Sequence, residues 1–229
     1  LKTNLADYPD SAEPPAVQPS FLQRVAASFE ANLLRERRYL LILDGLKTTV
    51  LISLLSTLFG SLLGAVTCFM RMSPLPVLNL PARIYIAVLR GTPVLVVLML
   101  VFYVVFASVD IHPVLAAVLA FGMNFAAYIA EVFRTGIEGV DKGQTEAGLA
   151  MGFSRVATFR YVVLPQMLRR ILPIYKGEFI SLVKMTSIVG YIAVQDLTKA
   201  SDIIRSRTFD AFFPLIFVAF LYFVISGLF

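Results

Sequence analysis

The stretch EAGLAMGFSRVATFRYVVLPQ, residues 146–166, decides how this chain is read. It lies between two long apolar segments and has helical spacing. Glu146, Ser154, Arg155 and Arg160 make it too polar to cross a bilayer. Gly148 and Gly152 interrupt it, and Pro165 is expected to end it before the next apolar run. A greasy chain therefore carries a basic, glycine-punctuated helical insert that needs a reason.

Working outward, composition sets the class. Hydrophobic residues make up 58% and charged residues 15%, with a mean hydropathy of +0.80. Soluble domains average about 45–50% apolar and about 25% charged, so the chain reads as an integral membrane protein. The formal charge of +5 does not point to nucleic acid, because the cations cluster beside apolar spans without an aromatic-interleaved basic stripe. Cys68 is the single cysteine, so no internal disulfide is possible, and it reads as a small core residue. Residues 1–20, LKTNLADYPDSAEPPAVQPS, are polar and proline-rich and read as an extracytoplasmic linker. The chain opens on Leu1 without a signal-peptide pattern and stops inside an apolar run. A preceding domain and a truncated C-terminus are therefore expected.

A helix rises about 1.5 Å per residue, so a bilayer core needs about 20 apolar residues. Five segments fit or nearly fit: 46–70, 93–109, 113–133, 171–194 and 211 onward. A partial helix at 84–89 precedes the second. Pro93 and Pro113 suit a first helical turn. Over 21–44, Leu22, Val25, Phe29 and Leu33 share one helical face, while Arg24, Arg35, Arg37 and Arg38 lie mostly elsewhere. That pattern predicts a helix lying on the membrane surface. The expected fold is all-α, with about five transmembrane helices.

Basic residues set the orientation. Arg71 and Arg83 lie between the first two spans; Arg134, Lys142, Arg155, Arg160, Arg169 and Arg170 lie between the third and fourth. Both loops are expected in the cytoplasm, with the N-terminus outside, against the opposing pull of Arg35, Arg37 and Arg38. The segment 195–210 then lies outside. The cytoplasmic loop, about 135–170, is long for a connection, and loops of that length are usually functional. Ala147, Leu149, Ala150, Met151, Phe153, Val156 and Phe159 are too apolar for a solvated loop. They need a partner surface, either the bundle's own base or another protein.

EAGLAMG, nine further residues and then VVLP resemble the EAA motif of ATP-binding-cassette importer permeases. The triplet is Glu146, Ala147, Gly148, the motif glycine is Gly152, and Val162 stands for an isoleucine ahead of Leu164 and Pro165. GLKTTVLISLLSTLFGSLLG, RGTP, AAYIAEVFRTGIEGVDKGQTEAG and LPQMLRR, in that order, are similar to the polar amino acid permeases. The resemblance covers nearly everything from Gly45 onward. It implies a type I importer fold in the bacterial cytoplasmic membrane, crossing it several times. It implies a coupling helix that docks on an ATPase subunit through Glu146, Ala147, Gly148, Gly152 and Pro165. It also implies a second permease copy and an extracytoplasmic substrate-binding protein or fused domain as partners. The fourth span departs from the family: Lys176 and Gly177 replace a Gly-Asn pair, and Met185 replaces an aspartate. That version resembles a subgroup in which the permease is fused to its binding domain.

A charge at membrane depth is costly and is read as functional by default. Glu178, Ser181 and Met185 share a helical face, flanked by Lys184 and Ser187. Glu178 is a candidate for a substrate ammonium; Lys184, Thr186 or Ser187 is a candidate for its carboxylate, and Asn124 is a further path residue. The alternative is that Glu178 and Lys184 snorkel or pair with each other near the cytosolic end. Glu131 and Arg134 read as a salt bridge at the membrane edge, and Ser53, Ser56, Gly60 and Gly64 as a helix-packing stripe. His112 lacks neighbours for a metal site. Other functions are an ion-coupled carrier or channel, or an intramembrane enzyme, but there is no nucleophile motif and no His/Cys/Asp cluster. No phosphate-cradling glycine loop occurs, so ATP and magnesium belong to a partner and no cofactor is expected in this chain.

Overall fold

The computed structural model describes residues 20–228. The expected linker, 1–20, lies almost wholly outside them. Among the described residues the structure is helical, with no strand. Helix α1 (Phe21–Phe29) opens with a capping box, in which Ser20 and Gln23 satisfy each other's backbone N–H groups. A π-helical turn (Glu30–Leu34) and a kink at Glu36 and Arg37, both with φ of 54°, follow. The long helix α2 (Tyr39–Met72) begins directly after it. Residues 21–44 are therefore not one surface helix: the amphipathic part ends at the kink, and 39–44 belong to α2. The apolar face of α1 is largely uncovered, with Leu22 at 76% exposure, as expected of an element lying on a bilayer.

Helix α2 has 34 residues, a rise of about 50 Å. It packs most extensively on α5 (Pro113–Glu138). The contact is built from small residues. A methyl group on Gly60 would lie 2.6 Å from the Gly122 carbonyl oxygen, and one on Gly64 would lie 3.1 Å from that of Ala126. Ser56 donates to the Val118 carbonyl at 3.3 Å. The predicted stripe of Ser53, Ser56, Gly60 and Gly64 is this interface, which needs close backbone approach because lipid supplies no hydrophobic drive between helices. The opposite face of α2, with Leu54, Leu58, Leu62 and Val66, is more than half exposed and apolar.

Two further spans are broken. Helices α3 (Pro76–Gly91) and α4 (Val94–Leu100, continued by the π-helical Val101–Val105) meet at 111°. The break is the segment Gly91-Thr92-Pro93, where Thr92 is extended, as a residue before proline tends to be. Helix α6 (Lys142–Ala150) and α7 (Arg155–Thr158) lead into a π-helical turn (Phe159–Val163) and α8 (Leu164–Met185), which tightens into a 3₁₀ segment, Thr186–Ile192. After Ala193, at φ 60°, the chain bends by 53° into α9 (Leu197–Thr208). The short apolar α10 (Phe213–Gly227) follows. Two helices long and apolar enough to cross a membrane, α2 and α5, and two bent pairs fall on four of the five expected apolar segments; α10, on the fifth, is shorter than a full span. The second expected span, 93–109, is only one arm of a bent pair, and the fourth, 171–194, changes helical type near its end.

Proline does not act as the sequence suggested. The helix runs straight through Pro165 in the first turn of α8. A proline ring clashes with the carbonyl four residues earlier, here Tyr161, and removes one hydrogen bond. Tyr161 lies inside the π-helical turn, whose wider loop admits the ring.

Candidate coupling face and substrate path

Helix α6 stands at the end of the bundle beyond α5. Asp141 caps it, its carboxylate accepting from the Gly143 N–H at 2.6 Å. Gly152, at φ +85°, ends it: the Phe153 N–H reaches the Gly148 carbonyl at 3.1 Å and the Gly152 N–H reaches that of Leu149 at 3.0 Å. This is a Schellman turn, so Gly152 has the terminating role assigned to it. Ser154 then caps α7 through the Ala157 N–H. One hydrogen bond ties α6 to α8, a second joins α8 to the end of α5, and α6 also packs on α7 within the insert. Gln166 on α8 donates to Gln144 at 3.2 Å, Arg170 on α8 bonds the Gly139 carbonyl, and Gly148 packs on Thr158.

Gly148 is buried, whereas Glu146 and Ala147 are exposed on the other side of α6. So are Met151 and Val156, each 76% exposed, and Leu149 and Phe153, each 41% exposed. Of the apolar residues of the insert, Phe159 packs edge-on against Phe69 of α2, with ring centroids 5.9 Å apart, whereas Leu149, Met151, Phe153 and Val156 stay exposed. These four are thus uncovered on the same short insert as the exposed Glu146. Single exposed apolar residues are ordinary, but four within eight positions beside a capped helix fit partner contact.

Between α3, α5 and α8 lies a second group of polar side chains. Glu178 is half-buried, and the Arg90 guanidinium is near enough for its field to act on that carboxylate. Arg90 also lies over the Tyr128 ring, 5.0 Å from its centroid. Asn124 donates to the Leu89 carbonyl at 3.1 Å, satisfying a group orphaned where α3 breaks. Arg90, at the end of α3, thus rests on Tyr128 of α5, and Asn124 of α5 holds the carbonyl freed at the break. Sequence reasoning missed Arg90, although RGTP contains it; its signal was a cation next to a predicted helix break.

The other predicted path residues are scattered. Thr186 is fully buried and its hydroxyl donates to the Val183 carbonyl at 2.7 Å, so it is engaged in helix packing. Lys184 is exposed, and among the described residues no ion pair joins it to Glu178. Ser187 lines a cleft of about 410 Å³ together with Tyr191, Lys199 and Asp202. Asp196, at the wall of that cleft, caps α9 through the Thr198 and Lys199 N–H groups and accepts from the Tyr222 hydroxyl. Glu131 and Arg134 form the expected ion pair at 2.7 Å, extended by Arg71 of α2 at 3.6 Å. His112 accepts from the Val114 N–H at the start of α5.

Comparison with known proteins follows the same lines. Residues 49–229 match the family described as "Binding-protein-dependent transport system inner membrane component". The chain is 36% identical over 188 residues to the Bacillus subtilis protein "Probable amino-acid ABC transporter permease protein YckA", covering 82% of this chain and 83% of the relative. It is 37% identical over 189 residues to the "Glutamine transport system permease protein GlnP" of Escherichia coli, covering 81% and 86%. A solved structure described as an "amino acid ABC transporter with histidines" superposes with a TM-score of 0.75 at 37% identity, covering 91% of this chain and 92% of that one. A chain of a structure described as "Inward facing conformations of the MetNI methionine ABC transporter" shares the fold at TM-score 0.69 and 21% identity, covering 82% of this chain and 90% of that one. With its open capped insert and broken spans, the chain belongs to the binding-protein-dependent transport system inner membrane components, the membrane permease subunits of ABC transporters.

Proposed function

We propose that this permease moves polar amino acids inward across the bacterial cytoplasmic membrane, with α6 as the helix that receives the motion of a separate ATPase. The observation that carries this reading is the open face of α6 and α7. Glu146 is exposed on the same insert as four uncovered apolar side chains, while α6 is tied to α8. A helix fixed on one side and open on the other transmits displacement to the span that it is tied to. That span, α8, carries Glu178. The relatives named for glutamine and for amino acids in general support the substrate class. Arg90 and Glu178 suit it, since a zwitterion needs a cation for its carboxylate and an anion for its ammonium. The partners are two ATPase subunits, which bind ATP and magnesium, a second permease copy, and an extracytoplasmic binding protein or a fused binding domain.

Purification from membranes followed by reconstitution tests this. The expected result is an ATPase that copurifies and glutamine-class uptake that requires ATP. Uptake driven by an ion gradient without ATP would replace this reading with that of an ion-coupled carrier.

A further inference from the structure

The coupling motif resembled by this chain has alanine at its third position, where Gly148 stands. The structure supplies a reason. Gly148 is the buried residue of α6, and the side chain it meets is Thr158, at the end of α7. A methyl group on Gly148 would lie 2.6 Å from Thr158 Cγ2, 3.0 Å from Oγ1 and 3.3 Å from Cβ. Thr158 is fully buried, and its β-branched side chain is stiff at χ1, so it cannot swing aside cheaply. Its hydroxyl has no hydrogen-bond partner among the described residues. What Thr158 offers α6 is therefore shape. The backbone of α6 rests directly on a β-branched wedge that leads, through the π-helical turn, into α8.

We propose that Thr158 is a positioning residue for coupling: it seats α6 at Gly148 and so fixes the angle at which Glu146 faces the ATPase. This deepens the coupling reading above and rests on it. Gly148 and Thr158 act as one pair, each size conditional on the other. Enlarging the glycine lifts α6 off its seat; shortening the threonine makes room again. A displacement of this kind matters because misplacing a coupled group by about 1 Å can cost about 100-fold in rate.

The test uses the permease reconstituted with the ATPase that copurifies with it. Gly148→Ala is expected to lower ATP-driven uptake by about tenfold and to reduce ATPase retained on purification. Its thermal midpoint in detergent should stay near that of the parent, because the strain is confined to the insert. Thr158→Ala alone is expected to fall by less than about threefold, and Gly148→Ala with Thr158→Ala together should return to within about threefold of the parent. Thr158→Val, which keeps the shape and removes the unpartnered hydroxyl, should match the parent. Full activity of Gly148→Ala, a double variant no better than Gly148→Ala, or a Thr158→Val as weak as Gly148→Ala would each overturn the proposal. Glu146→Lys in the same assay separates the two levels. If it has no effect, docking through α6 fails whatever the pair does; if it acts and Gly148→Ala does not, only the Thr158 seat fails.

Discussion

The insert of α6 and α7 and the broken helix pair around Arg90 both place polar residues where an apolar chain should have none, yet they solve different problems. In the insert, hydrogen-bonding groups are spent on caps and ties, by Asp141, Ser154, Gln144 and Arg170, and the apolar residues are left open. At the break between α3 and α4 the reverse holds: Asn124 is buried to satisfy one backbone carbonyl, and charged Arg90 and Glu178 remain for something else. Uncovered apolar surface marks a protein partner. Charge held beside a broken helix inside a membrane is the feature on which the proposed solute path rests.

The largest effect on this contrast is expected at the path. Glu178→Gln keeps the shape and removes the charge. A hydrogen bond to a charged group is worth about 1.5–3 kcal/mol, so uptake should drop by about tenfold or more. ATPase retention and basal hydrolysis should not change, since α6 is untouched. Arg90→Gln should act similarly, and the double variant should lose less than the product of the two, as expected for groups that share a task. Uptake at the parent rate in Glu178→Gln would leave Glu178 a structural residue.

Packing gives the next contrast. A methyl group on Gly45 would lie 2.6 Å from the Asp196 carbonyl oxygen, against rigid backbone, whereas one on Gly177 meets nothing within 4 Å. Gly45→Ala should destabilise by about 1–3 kcal/mol, and Gly177→Ala, in a helix interior, should stabilise by about 0.5–1 kcal/mol. Thermal midpoints in detergent check the opposite signs.

The smallest effect concerns the turn between α9 and α10. Asn32 donates to Asp210 at 2.7 Å, joining the N-terminal segment to that turn. Partial burial opposes the Asp210 charge, but the Phe213 N–H, Asn32 and the Phe212 N–H outweigh it and hold the carboxyl below its ordinary 3.8. A depressed carboxyl stabilises fully above its unfolded value and loses that contribution as pH falls through the folded one. Protease protection of the 20–38 segment should therefore be flat from neutral pH down to about 4 and weaken only below it, with Asp210→Asn removing the acid step.

The insert was legible because its information is local. Glycine at the end of α6 and a fixed motif spacing lie within about twenty-five residues, and the caps Asp141 and Ser154, which were not read from the sequence, are equally local. The path was legible only in part. Glu178 stands out as a charge in an apolar run, but Arg90, whose charge acts on it, comes from α3, and only the tertiary packing brings the two helices near each other. Asn124 was read as a path residue because a buried amide is conspicuous; its partner, the Leu89 carbonyl, becomes available only once α3 has broken. The burial of Thr186 was not legible either, since whether a hydroxyl is taken by a carbonyl of its own helix depends on the folded backbone. Pro165 was read as a stop because the same residue type ends helices and opens them. The wide turn at Tyr161, invisible to periodicity, decides between the two.

The central claim is that the open side of α6 couples this chain to an ATPase, and Glu146→Lys addresses it most directly. The residue is exposed and makes no hydrogen bond or ion pair within the described chain, so its replacement should leave the permease folded and inserted. Copurified ATPase and substrate-stimulated ATP hydrolysis are measured together on the variant and its parent. Both should fall by about tenfold or more, the loss of a desolvated charge contact of about 1.5–3 kcal/mol. ATPase retention and stimulated hydrolysis equal to the parent's would contradict the account.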